Sequence, residues 1–133
     1  APAARVFAAI ATPDGLNEWW TLDCDGVARG GETWRFGFGP GFEDWRGEVT
    51  QLDEGRAIEW TMTRADVDWT GTVVGIALVP NGDRTFVEFS HRGWRDVGDH
   101  YRTTSCCWAS YLRILRRYVE FGERVPYPVR LDV

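Results

Sequence analysis

Polar and apolar positions along this chain follow two periods. From Ala3 to Ala11, Val6, Phe7 and Ile10 recur at helical spacing, and Pro2 sits where a first-turn proline is tolerated. Thr12-Pro13-Asp14-Gly15 breaks that helix. Thr12 is a candidate N-cap, with Pro13 opening a second short helical turn through Leu16-Asn17-Glu18-Trp19-Trp20. Between residues 22 and 92 the period falls to two. Leu22 to Val27 predicts a short strand, and Gly30-Gly31 a turn. Trp34, Phe36 and Phe38 alternate with Thr33, Arg35 and Gly37. Trp45, Gly47 and Val49 alternate with Asp44, Arg46, Glu48 and Thr50. Ile58, Trp60 and Met62 alternate with Ala57, Glu59, Thr61 and Thr63. Gly39-Pro40-Gly41 and Asp53-Glu54-Gly55 supply the turns between these runs. Residues 68–79 predict a longer strand, whose adjacent Val73 and Val74 blur its two faces and suggest a bulge. Pro80-Asn81-Gly82-Asp83 is a hairpin turn, after which Thr85, Val87, Phe89 and His91 alternate with Phe86, Glu88, Ser90 and Arg92.

Short turns between consecutive strands predict an antiparallel meander with one aromatic and one charged face. The element long enough to cover the aromatic face is the last, from His100 to Gly122. There Tyr101, Thr104, Trp108, Tyr111, Leu112, Leu115 and Val119 share one helical face. Asp99 is its candidate N-cap and Gly122 its C-cap, and Val125-Pro126-Tyr127-Pro128 ends it. Residues 129–133 alternate like a strand but read better as an ordered tail. The expectation is an α+β fold of one domain over 1–133, six antiparallel strands curved around a long C-terminal helix.

Composition narrows the functions. Net charge is −5, from 20 acids and 15 bases, which disfavours a general nucleic-acid binder. No run of 18 apolar residues is present, so no membrane span is expected. The chain opens on Ala1 without a basic-then-apolar leader, and the lack of an initiator Met suggests an upstream piece. Every base is Arg, which leaves no Lys for Schiff-base chemistry. Eight Trp, seven Phe and four Tyr exceed what a plain core of this size needs. The three cysteines, Cys24, Cys106 and Cys107, form no disulfide framework, and reduced thiols in the cytoplasm are expected.

The element order resembles the START-like (SRPBCC) superfamily. Val6-Phe7-Ala8-Ala9-Ile10 followed by Leu16-Asn17-Glu18-Trp19-Trp20 is similar to its opening, and Gly30-Gly31-Glu32-Thr33-Trp34-Arg35-Phe36 to its glycine-led strand. Gly47-Glu48-Val49, Ile58-Glu59-Trp60 and Thr85-Phe86-Val87-Glu88-Phe89-Ser90-His91 are similar to later strands, and Trp108 to Tyr118 to the closing helix. Within it, the chain resembles the subgroup named for the activator of the 90-kDa heat-shock-protein ATPase. The resemblance implies a helix-grip fold with a cavity between sheet and helix. It also implies a strand before the first helix, expected to have been removed, disordered or omitted here; if it is absent, one sheet edge is open to residues 129–133 or to a second copy of the chain, which would give a homodimer.

The cavity is the main functional candidate. Trp34, Phe36, Phe38, Trp45, Trp60, Met62, Val87 and Phe89 are expected on its sheet side, Trp108, Tyr111 and Leu112 on its helix side, and Trp20 at a mouth. A filled core made of the same residues is the competing outcome. His91 shares a face with Val87 and Phe89, where it either orients a ligand or acts as acid or base, or is a core histidine satisfied by one hydrogen bond. No metal-ligand spacing joins Cys24, His91, His100, Cys106 and Cys107, and no phosphate-loop or nucleophile-elbow motif is present, so no metal or cofactor is expected. The expected function is binding of a hydrophobic small molecule. The superfamily implies two alternatives, a polyketide cyclase or aromatase using His91 or Tyr111, and a chaperone-interaction module.

Overall fold

The computed structural model describes residues 1–132; Val133, the last position of the predicted tail, lies outside them. Two short helices, α1 (Ala3–Ile10) and α2 (Pro13–Trp19), open the chain. Thr12 caps α2 as expected, its Oγ1 accepting the Gly15 N–H at 3.0 Å while its hydroxyl donates to the Ala8 carbonyl at 2.7 Å. The two helices lie so close that a Cβ on Gly15 would sit 2.7 Å from Ala9 backbone atoms. The Trp19 indole N–H donates to the Ala9 carbonyl across the same contact at 3.0 Å.

Six strands follow in one antiparallel sheet ordered as in the sequence: β1 (Asp23–Asp25), β2 (Thr33–Gly37), β3 (Trp45–Asp53), β4 (Ala57–Arg64), β5 (Val73–Asn81) and β6 (Arg84–Arg92). The long helix α3 (Asp99–Phe121) then crosses the inner face. Gly98, not Asp99, is its N-cap, and Asp99 is its first residue. Gly122 ends it in the left-handed region at φ 69°, a conformation glycine adopts without Cβ strain. Alternation sets the packing. Trp34 and Phe36 of β2, Val49 of β3, Ile58, Trp60 and Met62 of β4, and Val74, Ile76 and Leu78 of β5 all face inward and are buried.

Two local expectations are corrected. β5 begins at Val73, because residues 66–71 curl into turns instead of extending. Val73 and Val74 carry no bulge, since β5 pairs continuously with β6 from Val73 to Asn81. Its faces read ambiguously because the outward positions Val73, Ala77 and Val79 are also apolar. The irregularities lie between β3 and β4, at Arg46/Gly47 and Val49/Gln51. The tail is ordered and not a strand, as expected: Tyr127–Asp132 forms a 3₁₀ helix. It is pinned by Arg130, 5% exposed, whose guanidinium donates to the carbonyls of Val125, Thr21 and Asn17 at 3.0, 3.0 and 2.6 Å. With α1, α2 and this tail packed behind it, α3 buries Ile114 as well as the predicted Thr104, Trp108, Leu115 and Val119.

The sheet ends in two edges, β1 and β6. The chain enters beside β6, where the Thr85 hydroxyl donates to the Ala1 carbonyl at 2.9 Å.

Candidate functional site

The interior divides into a filled half and a hollow half. Trp34, Phe36, Trp60 and Met62, expected on a cavity wall, are at most 1% exposed and pack against one another. Trp34 and Trp60 meet edge-on at 5.4 Å, and Phe36 and Trp60 at 5.7 Å. A Cβ on Gly47 would stand only 3.1 Å from Phe36 and Trp60 and 3.2 Å from the Met62 sulfur, so no guest fits among them. The Trp34 N–H is satisfied by the Val27 carbonyl at 2.8 Å. The Trp60 N–H is buried and has no partner among the described residues.

The hollow half lies toward the start of α3 and measures about 310 Å³. Five rings line this partly open hollow, each touching the next. Trp20, just past α2, lies 5.6 Å from Phe38 in the β2–β3 connection, and Phe38 lies 5.4 Å from Trp45. Trp45 lies 5.1 Å from Trp69 in the β4–β5 connection, and Trp69 stacks on Trp108 of α3 at 5.9 Å. Trp108 closes the collar onto Trp20 at 4.9 Å. Phe42, Tyr111 and Tyr127 add further aromatic surface, with Thr104 and Cys107 on the α3 side.

Trp69 belongs to this collar because of turn chemistry. The Asp66 side chain accepts the Asp68 N–H at 2.9 Å, and the Asp66 carbonyl accepts the N–H groups of Trp69 and Thr70 at 3.0 and 2.9 Å. Gly71 then reverses the chain at φ 88°. These local bonds outcompete a strand ladder and swing the indole inward, 7% exposed.

His91 sits behind the collar, with both ring nitrogens occupied. The Trp108 N–H donates to Nδ1 at 3.0 Å. Nε2 lies 2.8 Å from the Thr72 hydroxyl, whose own proton goes to the Trp69 carbonyl at 2.6 Å. Thr72 therefore accepts, Nε2 carries the hydrogen, and the ring is held neutral in one tautomer. Burial, with the nearby His100 adding to it, pushes its pKa down to about 4. The histidine thus locks β6 to α3 and to the loop of Trp69. With Phe89 and Leu112 it lines a second hollow of about 330 Å³ on the far side of Trp108. Val87, 39% exposed, lies further out with Leu112 in an open groove between β6 and the helices. Of the predicted residues, Trp20, Phe38, Trp45, Trp108 and Tyr111 reach the collared hollow.

Seven of its lining residues were not anticipated: Phe42, Asp66, Trp69, His100, Thr104, Cys107 and Tyr127. Thr104 carried a signal, its place on the apolar face of α3, and Trp69 another, an indole in a turn-forming Asp-Trp-Thr-Gly run. The polar groups are few. Burial pushes the Tyr111 phenol up to about 12 and raises the Cys107 thiol, so both stay neutral. The Tyr127 hydroxyl is spent on the Phe38 carbonyl at 2.8 Å, and the Trp69 N–H reaches the Thr104 hydroxyl at 3.4 Å. At the rim, His100 Nδ1 lies 3.0 Å from an Asp68 oxygen and 3.5 Å from Asp66. These three groups hold their ligand atoms within 4.8 Å of one another, a partly exposed set able to offer at most three ligands to a metal ion.

A curled antiparallel sheet closed on a long C-terminal helix, with an aromatic hollow at one end, is the helix-grip architecture of the START-like (SRPBCC) class. The chain belongs to the family described as Activator of Hsp90 ATPase homolog 1-like protein, whose model matches residues 1–120. It is similar to the Aha1 protein of Colwellia psychrerythraea, solved in solution as a dimer, at 30% identity and a TM-score of 0.80, covering 92% of this chain and 91% of that one. It shares its fold with CalU16 of Micromonospora echinospora at 20% identity and a TM-score of 0.75, over 99% of this chain and 66% of that one. DynU16, from the dynemicin biosynthetic locus, shares the fold at 20% identity and a TM-score of 0.77, over 93% of this chain and 45% of that one. No curated protein matches the chain. Among the described residues no helix is long and apolar enough to cross a membrane.

Proposed function

We propose that this protein binds an apolar small molecule inside the five-ring collar. One observation carries the reading: Trp20, Phe38, Trp45, Trp69 and Trp108, each in contact with the next, together line a hollow of about 310 Å³. A guest burying about 200 Å² of apolar surface gains about 5 kcal/mol before ordering costs. That caps the affinity of a bicyclic aromatic probe at about 0.2 mM, with ordering costs weakening it from there. Binding is favoured over acid–base chemistry by the state of the titratable groups: His91 has no free nitrogen, and Tyr111 holds its proton far above neutrality.

The test is calorimetric titration with 1-naphthalenemethanol, in the wild type and in Cys107→Trp, which places an indole in the hollow. The wild type should bind, and the variant should bind at least tenfold more weakly with its thermal transition retained. No binding to the wild type, or equal binding to both, would refute the reading.

A second copy of the chain is the partner favoured by the dimeric, 30% identical relative. Light scattering should then give twice the monomer mass.

A further inference from the structure

We infer that the collared hollow selects an organic cation, an ammonium group borne on an aromatic or aliphatic body. This inference rests on the binding reading above and specifies the charge of its ligand. Three independent features converge. The wall is built of indole and phenyl rings, whose faces carry negative electrostatic potential and attract cations. The rim holds a carboxylate: Asp66 borders the hollow directly, and Asp68 stands behind it across the His100 imidazole. All 15 bases of the chain are Arg, yet none of the residues lining the hollow is an Arg.

Arg130, whose guanidinium lies 5.4 Å from the Tyr127 ring centre, is the positive charge behind this wall. Its N–H groups are spent on the carbonyls of Asn17, Thr21 and Val125, and the Tyr127 ring, itself part of the lining, carries the contact with the hollow. A carboxylate or phosphate entering the collar would meet ring faces, an aspartate, no guanidinium, and in His100 an imidazole whose Nδ1 already lies 3.0 Å from Asp68. An ammonium would meet ring faces and a counter-charge. Tyr111, whose phenol stays protonated, offers a neutral hydroxyl to a polar atom of the same ligand. The contrast matters because the hydrophobic term alone is blind to charge, whereas a cation between rings and a carboxylate gains on both counts.

The experiment uses three probes of one shape: 1-naphthylmethylammonium, 1-naphthalenemethanol and 1-naphthoate, titrated calorimetrically into the intact protein in the presence of EDTA. The ammonium should bind about tenfold tighter than the alcohol, and the naphthoate weakest. Added salt should weaken the ammonium selectively. In Asp66→Asn, whose amide oxygen can still accept the Asp68 N–H, the ammonium-to-alcohol ratio should fall to about two. Binding of the alcohol with no preference for the ammonium, or with a preference for the naphthoate, overturns the charge inference and leaves the binding reading standing. Failure of all three probes to bind removes both.

Discussion

Lowering the pH asks His91 to accept a proton that none of its neighbours can use. In the fold Nδ1 receives the Trp108 N–H and Nε2 gives its hydrogen to Thr72, so a second ring proton would point one donor at another. The unfolded chain takes that proton near pH 6.5, the folded chain only near pH 4. The folded pKa is depressed, so the unfolded state binds more protons throughout that window. Stability is therefore full above pH 6.5, falls between 6.5 and about 4, and levels off below. The whole gap corresponds to about 3 kcal/mol, which the ring's partial solvent access screens to about 1–2 kcal/mol. Urea denaturation followed by tryptophan fluorescence between about pH 8 and about pH 4 measures the slope. His91→Gln keeps an acceptor and a donor but does not titrate, so the difference between the two slopes cancels the carboxylates and His100. The wild type should lose about 1–2 kcal/mol more than the variant across the window. Parallel slopes, or a wild type gaining stability relative to the variant as pH falls, would refute the hydrogen-bond circuit.

Two substitutions test the supports of the site. Arg130→Met removes the donor shared by three main-chain carbonyls and should cost about 2–3 kcal/mol in urea titration; a loss under about 0.5 kcal/mol would show the 3₁₀ tail to be unimportant to the fold. Gly15→Ala drives a methyl into the α1 backbone and should cost about 3 kcal/mol by the same assay, with a neutral result contradicting the close approach of α1 and α2.

The helices and strands were legible because both periods are kept almost without interruption. The helix-grip order followed from short turns and one long amphipathic helix, and Thr12 and Gly122 cap as their residue types require. The site was legible only in part, because alternation says which face a residue takes and not whether that face is filled. Trp34, Trp60 and Trp45 share one pattern, yet the first two are sealed in the core and Trp45 walls the hollow. The distinction depends on where α3 lies over the sheet, which no local pattern encodes. Trp69 escaped notice because its run was rich enough in β-branched residues to read as strand, while Asp66, Thr70, Gly71 and Thr72 fold it into turns. The tail hid its role in Arg130, one of 15 arginines and indistinguishable in sequence from solvated ones.

The eight indole N–H groups are separate reporters spread over both halves of the interior. In a proton–nitrogen correlation spectrum, saturating 1-naphthalenemethanol should shift the indole signals of Trp20, Trp45, Trp69 and Trp108 and leave those of Trp19, Trp34 and Trp60 in place. Uniform small shifts across all of them, or shifts confined to the sealed set, would contradict a ligand seated within the collar.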